Sequence, residues 1–385
     1  MAAAAPTKAK GGEKQAPVQP RAFIAGSRKN DRDSGFDQQI VLTAAEQSLR
    51  TYQVTPTGYL RHIALVVENT AVNTTVTSVA YQEDGPFNVL SRVRLLDTNS
   101  REIIGTVNGW DIYILNKYGG YAHFQNDAKA AAVFSATSGT ALTAGSFAFV
   151  LFLPLEFVAR NGLGSQLNKS GAAQFQIEWA VAGTGTVFST APATSSTLRV
   201  RAALFSWLDP EPTDALGNAV MRTPPLLNTT QYWNKQRYEN ITTRARLQGI
   251  DGLVRMLIFC CRRDASTRAN GEADFPDPFS FRYEESFLIQ SRIRLLFRQL
   301  IAQIYGYDAA NEASKGRDNG VYPMWEFIQD WDLKPGNELT REFLPVSSAS
   351  NLELEGNFSN ATDIDLLVNT VVPHPQGAVK EMAVL

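Results

Sequence analysis

Several stretches of the chain alternate apolar and polar residues with a period of two, the pattern of a strand with one buried face. In Leu90-Ser91-Arg92-Val93-Arg94-Leu95, Val93 and Leu95 share one face and Arg92 and Arg94 the other. Phe175-Gln176-Ile177-Glu178-Trp179 alternates in the same way, and Thr197 to Phe205 begins so and then becomes wholly apolar. Tyr59 to Val67, closed by Glu68-Asn69, and Ser146 to Phe157 read as more deeply buried strands. Pro154 would limit pairing in the second of these. One short helix is predicted from Trp110 to Lys117, after Asn108-Gly109.

The pattern stops and then restarts. Asp209-Pro210-Glu211-Pro212 and Thr223-Pro224-Pro225 are breaker signals, because proline fixes φ and removes a donor. Beyond them, four segments recur in order. Gly58-Tyr59-Leu60-Arg61 returns as Gly252-Leu253-Val254-Arg255, and Ser91-Arg92-Val93-Arg94-Leu95-Leu96 as Ser291-Arg292-Ile293-Arg294-Leu295-Leu296. Phe175 to Glu178 returns as Leu352 to Glu355, and Thr197 to Phe205 as Thr362 to Val368. This is a duplicated β-domain rather than a short-period solenoid. Many short strands with long, irregular connections indicate two sandwiches or jelly rolls. The expected division is an N-terminal arm at 1–40, a first jelly roll at 41–209, a linker at 210–245, a second jelly roll at 246–374 and a tail at 375–385. Val93, Leu95, Ile293 and Leu295 are expected at equivalent inward positions. Arg298 to Ile304 fits either a helix or a strand.

A length of 385 residues suits two domains. The formal net charge of −2 lacks the basic excess of a protein that neutralises phosphates, so direct nucleic-acid contact is not expected. Residues 1–20 hold too few large apolar side chains to offset their ordering entropy and read as a mobile arm. No secretory leader is expected at Met1 to Lys10, and no stretch is long and apolar enough for a membrane helix.

Candidate chemistry is sparse. Cys260 and Cys261 are adjacent and suit neither a disulfide framework nor a metal site. Of three histidines, His62 lies in an apolar strand, while His123 and His374 are isolated. The residues leading to Lys169-Ser170 lack the glycines of a phosphate loop. Glu353 and Glu355 share one strand face and could form an acid–base pair, but alternation with Leu352 and Leu354 reads more simply as a solvated outer face. Ten arginines between Arg244 and Arg298 read as solvent-facing strand positions and subunit contacts, with Asp274, Asp277, Glu284 and Glu285 among them. No catalytic, cofactor or metal residue is assigned, and an enzyme is not expected. The residues singled out for binding are Lys8, Lys10, Lys14 and Arg21, a basic arm suited to an anionic membrane surface.

The chain resembles the double-jelly-roll major capsid proteins of tectiviruses, tailless icosahedral bacterial viruses with an internal membrane. The likeness is carried by Val54-Thr55-Pro56, by Gly85-Pro86-Phe87-Asn88-Val89-Leu90-Ser91-Arg92-Val93, by Asp97-Thr98-Asn99-Ser100-Arg101 and by Gly109-Trp110. The stretches from Trp207 to Asn240 and from Lys315 to Tyr322 add to it. The resemblance implies an all-β double jelly roll in a homotrimeric, pseudo-hexagonal capsomer, tiling a shell around a membrane that encloses double-stranded DNA. It implies as partners neighbouring trimers, penton, spike and minor capsid proteins, and the internal membrane. The location implied is the virion, after synthesis in a bacterial cytoplasm. Loops 118–145 and 305–322 are the expected contact elements. The alternatives are a glycan- or receptor-binding spike, with an aromatic cluster around Trp325 and Trp331, and a β-sandwich glycosidase.

Overall fold

The structure is a computed structural model. It describes residues 19–74, 78–119, 127–158, 161–194, 196–227, 229–263, 267–310, 312, 315–324, 343–347 and 350–372. The first half contains β1 (Lys29–Val41), β2 (Gln47–Ser48), β3 (Tyr52–Gln53), β4 (Gly58–Thr70), β5 (Ala80–Tyr81), β6 (Leu90–Leu96) and β7 (Glu102–Val107). Helix α1 (Gly109–Tyr118) follows, then β8 (Ser135–Ala136), β9 (Phe147–Pro154), β10 (Gln166–Asn168), β11 (Gln176–Val181), α2 (Thr184–Val187), β12 (Phe188–Thr190) and β13 (Thr197–Trp207). The second half contains β14 (Thr230–Ile241), β15 (Arg244–Leu247), β16 (Gly252–Arg262), α3 (Arg268–Asp274), β17 (Phe279–Tyr283) and β18 (Ser286–Arg292). It ends with α4 (Arg294–Tyr305), β19 (Val321–Met324), β20 (Leu344–Val346), β21 (Leu352–Gly356) and β22 (Thr362–Val372).

Both halves have one topology. In the first, β1-β13-β4-β9 forms one sheet, and β2 with β3, then β11, β6 and β7 form the other. In the second, β14-β22-β16-β19 and β15-β21-β17-β18 repeat that order place for place. These are two jelly rolls. Aromatic side chains close each sandwich, as where Phe36 of β1 meets Trp179 of β11 at 4.4 Å and Phe259 of β16 meets Phe281 of β17 at 6.3 Å. The segment 230–241, expected within the connection, is instead β14, which opens the second roll.

Three of the four sequence repeats mark true equivalents: β4 with β16, β11 with β21, and β13 with β22. The first pair matches in backbone detail. Gly58 and Gly252 open their strands at φ 104° and 100°, where a Cβ is strained. Each strand then slips register by one residue, at Arg61 in β4 and at Arg255 in β16. The fourth repeat is not an equivalence. Ser91–Leu96 lies in β6, whose partner in the second roll is β17, whereas Ser291–Leu296 spans the end of β18 and the start of α4. Val93 and Leu95 are fully buried as expected, but Ile293 and Leu295 are exposed. The run Arg294-Leu295-Leu296-Phe297-Arg298-Gln299-Leu300 is made of strong helix formers, and it forms a helix that buries Phe297 and Ile301.

The rolls are fused. Trp233 of β14 pairs in parallel with Ile104 of β7, joining one sheet of each roll into a ten-stranded sheet. Gly105 permits the approach, since a Cβ there would lie 3.0 Å from Asn234 Oδ1. A single hydrophobic core runs through both rolls.

Candidate functional site: the seam between the rolls and its uncovered counterpart

Helix α1 starts with a capping box. The Asp111 amide donates to Asn108 Oδ1 at 2.8 Å and the Asn108 amide to Asp111 Oδ2 at 3.0 Å. Trp110, Ile112, Tyr113, Ile114, Leu115 and Tyr118 spread around the whole helix, and every residue of α1 is buried. A helix that is apolar on all sides needs cover on all sides. The first roll covers one side. Phe87 stacks on Tyr113 at 4.4 Å, and the Asn116 amide donates to the Phe152 carbonyl and accepts from its N–H, both at 2.7 Å.

The second roll covers the other side, mostly with charge. Lys117 lies 2.6 Å from Asp318 and donates to the Gly316 carbonyl at 2.6 Å. Tyr113 and Tyr118 donate their hydroxyls to Asp318 at 3.2 and 3.0 Å. At the start of α1, Lys235 of β14 lies 3.0 Å from Asp111. Arg268 of α3 stacks 3.9 Å from the Trp110 ring, pairs with Asp84 at 2.7 Å and also pairs with Glu312. At the end of α1, Arg255 donates to the Gly119 carbonyl at 2.7 Å, where a cation favours the helix dipole. Its equivalent in the first roll, Arg61, pairs with Glu156 at 3.1 Å under the Trp207 ring.

Burial alone would raise the Asp318 carboxyl, but Lys117 and Lys129 outweigh it and hold the group below the ordinary aspartate range. Burial likewise works against the Lys235 ammonium, and Asp111 and Asp365 overcome it to push its pKa up. Burial, then the Asp318 charge, keep Tyr113 and Tyr118 protonated as donors. The seam is therefore a buried ionic network, with α1 as a peg between the rolls.

Helix α4 holds the same topological place in the second roll. Its inner face is buried through Phe297, Arg298 and Ile301, with Arg298 stacked 3.8 Å from the Tyr322 ring. Its outer face is bare. Leu295 is 77% exposed, and Ile293 and Leu296 are exposed as well. Beside Leu295 lies a recess lined by Glu272, Asp277, Arg294, Arg298 and Arg317.

The residues singled out from sequence fall as follows. Lys8, Lys10, Lys14, Trp325, Trp331, His123 and His374 lie outside the described residues. Arg21 pairs with Asp214 at 2.9 Å, with its side chain half exposed. His62 is a core residue, stacked on Phe205 at 4.4 Å. Glu353 is not on a solvated face: it is buried, with Arg246 at 2.9 Å and Arg244 at 3.5 Å. The arginine cluster divides. Arg244 and Arg246 are exposed, while Arg255, Arg262, Arg268 and Arg298 are buried structural ions. Cys260 and Cys261 are buried, and burial pushes both thiols up. Part of loop 305–322 is engaged within the chain, through Tyr305, Tyr307, Gly316 and Asp318 against α1. Among the described residues, no group of three or more His, Cys, Asp or Glu could hold a metal ion, and no helix is long and apolar enough to cross a membrane. Sequence reading missed the seam. Its one signal was Asp111, Asn116 and Lys117 set in an otherwise apolar helix.

No protein-family model matches the chain, and no curated protein matches it in sequence. Solved structures do match. The major capsid protein of Sulfolobus turreted icosahedral virus aligns with TM-score 0.62 at 10% identity, over 93% of this chain and 100% of that one. A chain of the PBCV-1 virus capsid aligns with TM-score 0.52 at 11% identity, over 93% and 96%. The fold is the double jelly roll of viral major capsid proteins. The major capsid protein of bacteriophage PM2 shares it, with TM-score 0.50 at 9% identity over 91% of this chain and 99% of that one. All three of these solved structures are of viral capsid proteins.

Proposed function

We propose that the chain is the major coat protein of an icosahedral virus and that three copies form a pseudo-hexagonal capsomer. One observation carries the reading: two rolls of identical topology are locked side by side by a buried peg. Such a subunit presents two near-equivalent lobes as one rigid body, so three in a closed ring present six. A spike or glycan-binding module has no need of this internal equivalence. Light scattering on the purified protein at micromolar concentration is the test. The expected mass is that of three 42.3 kDa chains, with hexagonal outlines in negative stain. A monomer overturns the reading.

The reading extends to a shell over an internal membrane around double-stranded DNA, as in tectiviruses. It is supported at the end of the molecule where Arg21, the β13–β14 connection and Val372 come together. Leu167, Leu208, Leu216 and Met221 are exposed there with the exposed cations Arg28, Lys29 and Arg222, and with Lys169 paired to Asp209. Mixed apolar and basic side chains suit an anionic leaflet. Lys8, Lys10, Lys14 and Arg21 would add to that contact. A truncation lacking residues 1–20 should still form trimers but bind anionic vesicles more weakly at low salt. Unchanged vesicle binding removes the arm from this role.

A further inference from the structure

We infer that the bare face of α4 is the subunit contact, covered by the first roll of the next copy as α1 is covered by the second roll of its own chain. The inference rests on the trimer reading and assigns its residues. Inside the chain, α1 is covered by two connections of the second roll. One is the β16–β17 connection, which carries Arg268. The other is the loop after α4, which carries Glu312, Gly316 and Asp318. An ion pair between Arg268 and Glu312 ties the two together.

The first roll has the same two connections, β4–β6 and the loop after α1, and they are also tied together. The Asn73 amide donates to the Leu142 carbonyl at 2.7 Å, and the Val79 and Gly139 amides donate to each other's carbonyls at 2.9 and 2.8 Å. Among the described residues they expose Val72, Val133 and Leu142. These three, and Ile293, Leu295 and Leu296 at the start of α4, thus stand in two places that the internal repeat predicts to be complementary: the exposed face of one helix and the connections equivalent to those that cover the other. If the step from first roll to second is repeated between chains, it seats one on the other. The contact is head-to-tail, so it gives a ring where the rotation closes, as the trimer reading requires, and not a two-fold dimer.

The test has two arms. In the first, Leu295→Asp with Leu296→Asp is compared with wild type and with Val41→Asp, an exposed valine elsewhere. The expected result is a fall in mass from three chains to one for the α4 variant alone, with an unchanged circular dichroism spectrum and cooperative melting. The second arm does not depend on that variant. Leu295→Cys and Leu142→Cys in one chain are treated with a flexible bismaleimide, the native thiols being buried. Linked species ending at three chains are expected from the double variant and none from either single one. A trimeric wild type with a trimeric α4 variant, or a linked dimer from Leu295→Cys alone, overturns this assignment and leaves the trimer standing. A monomeric wild type overturns both.

Discussion

Helices α1 and α4 hold the same place in the two rolls, yet every residue of α1 is buried and α4 leaves Leu295, Leu296 and Ile293 to solvent. The difference is written into their sequences. Helix α1 is apolar around its circumference, with Asp111, Asn116 and Lys117 each meeting a partner from the structure around it. In α4 the buried stripe is narrow, running through Phe297, Arg298 and Ile301, and Gln299 and Gln303 beside it stand in water. The topology fixes where a helix goes, and the neighbour decides what its outer face must be. One slot was adapted to a partner within the chain, and the other was left for a partner outside it.

That contrast can be broken most severely at the Lys117–Asp318 pair. Lys117→Met leaves the Asp318 carboxylate buried with Lys129 as its nearest remaining cation, at 3.8 Å. This should cost about 3–5 kcal/mol in chemical denaturation, and adding Asp318→Leu should recover most of it. Acid should reach the same contact without mutation. The Asp318 pKa is lower folded than unfolded, so its stabilisation is complete above the ordinary value of about 3.9 and is lost as pH falls through the folded value. Hydrogen exchange at the α1 amides should therefore stay slow down to that range and accelerate below it, and this acid step should be missing in Asp318→Asn. Next in size, Leu95→Ala in β6 should cost about 2–5 kcal/mol by cavity formation. Asn108→Ala, which removes the cap of α1, should cost about 1 kcal/mol of thermal stability. Smallest of all, Leu295→Ala should change the stability of the dissociated subunit by no more than about 0.5 kcal/mol. A large loss there would mean that α4 is covered within its own chain.

The architecture could be read from the sequence where local pattern and tertiary position agree. Strands β4, β6, β11 and β13 alternate or run apolar as their burial requires, and α1 lies within one residue of its expected bounds at each end. Gly58 and Gly252 marked an equivalence because a positive φ and a register slip at the arginine three residues on are backbone demands, and both rolls make them. The Ser91 and Ser291 hexamers misled because Arg-x-Arg-Leu-Leu fits a period of two as well as 3.6, so the choice depends on residues further on. Glu353 and the buried arginines were misread for another reason. A charge looks solvated in sequence until its counterion is known, and Asp84 pairs with residues 178 and 184 positions away. Long-range ion pairs leave no periodicity to detect.

The parallel pairing of Ile104 with Trp233 has a consequence for solubility. A free strand margin with unpaired N–H and C=O groups is a template for stray chains, and proteins usually blunt it with charge, proline or a bulge. Strand β7 carries Ile103, Ile104 and Val107 with Gly105 among them, an apolar margin. Here it is shielded by β14, and β14 by it. Each roll acts as the other's gatekeeper, so either roll expressed alone would be expected to precipitate or form fibrils even if its own sandwich folded.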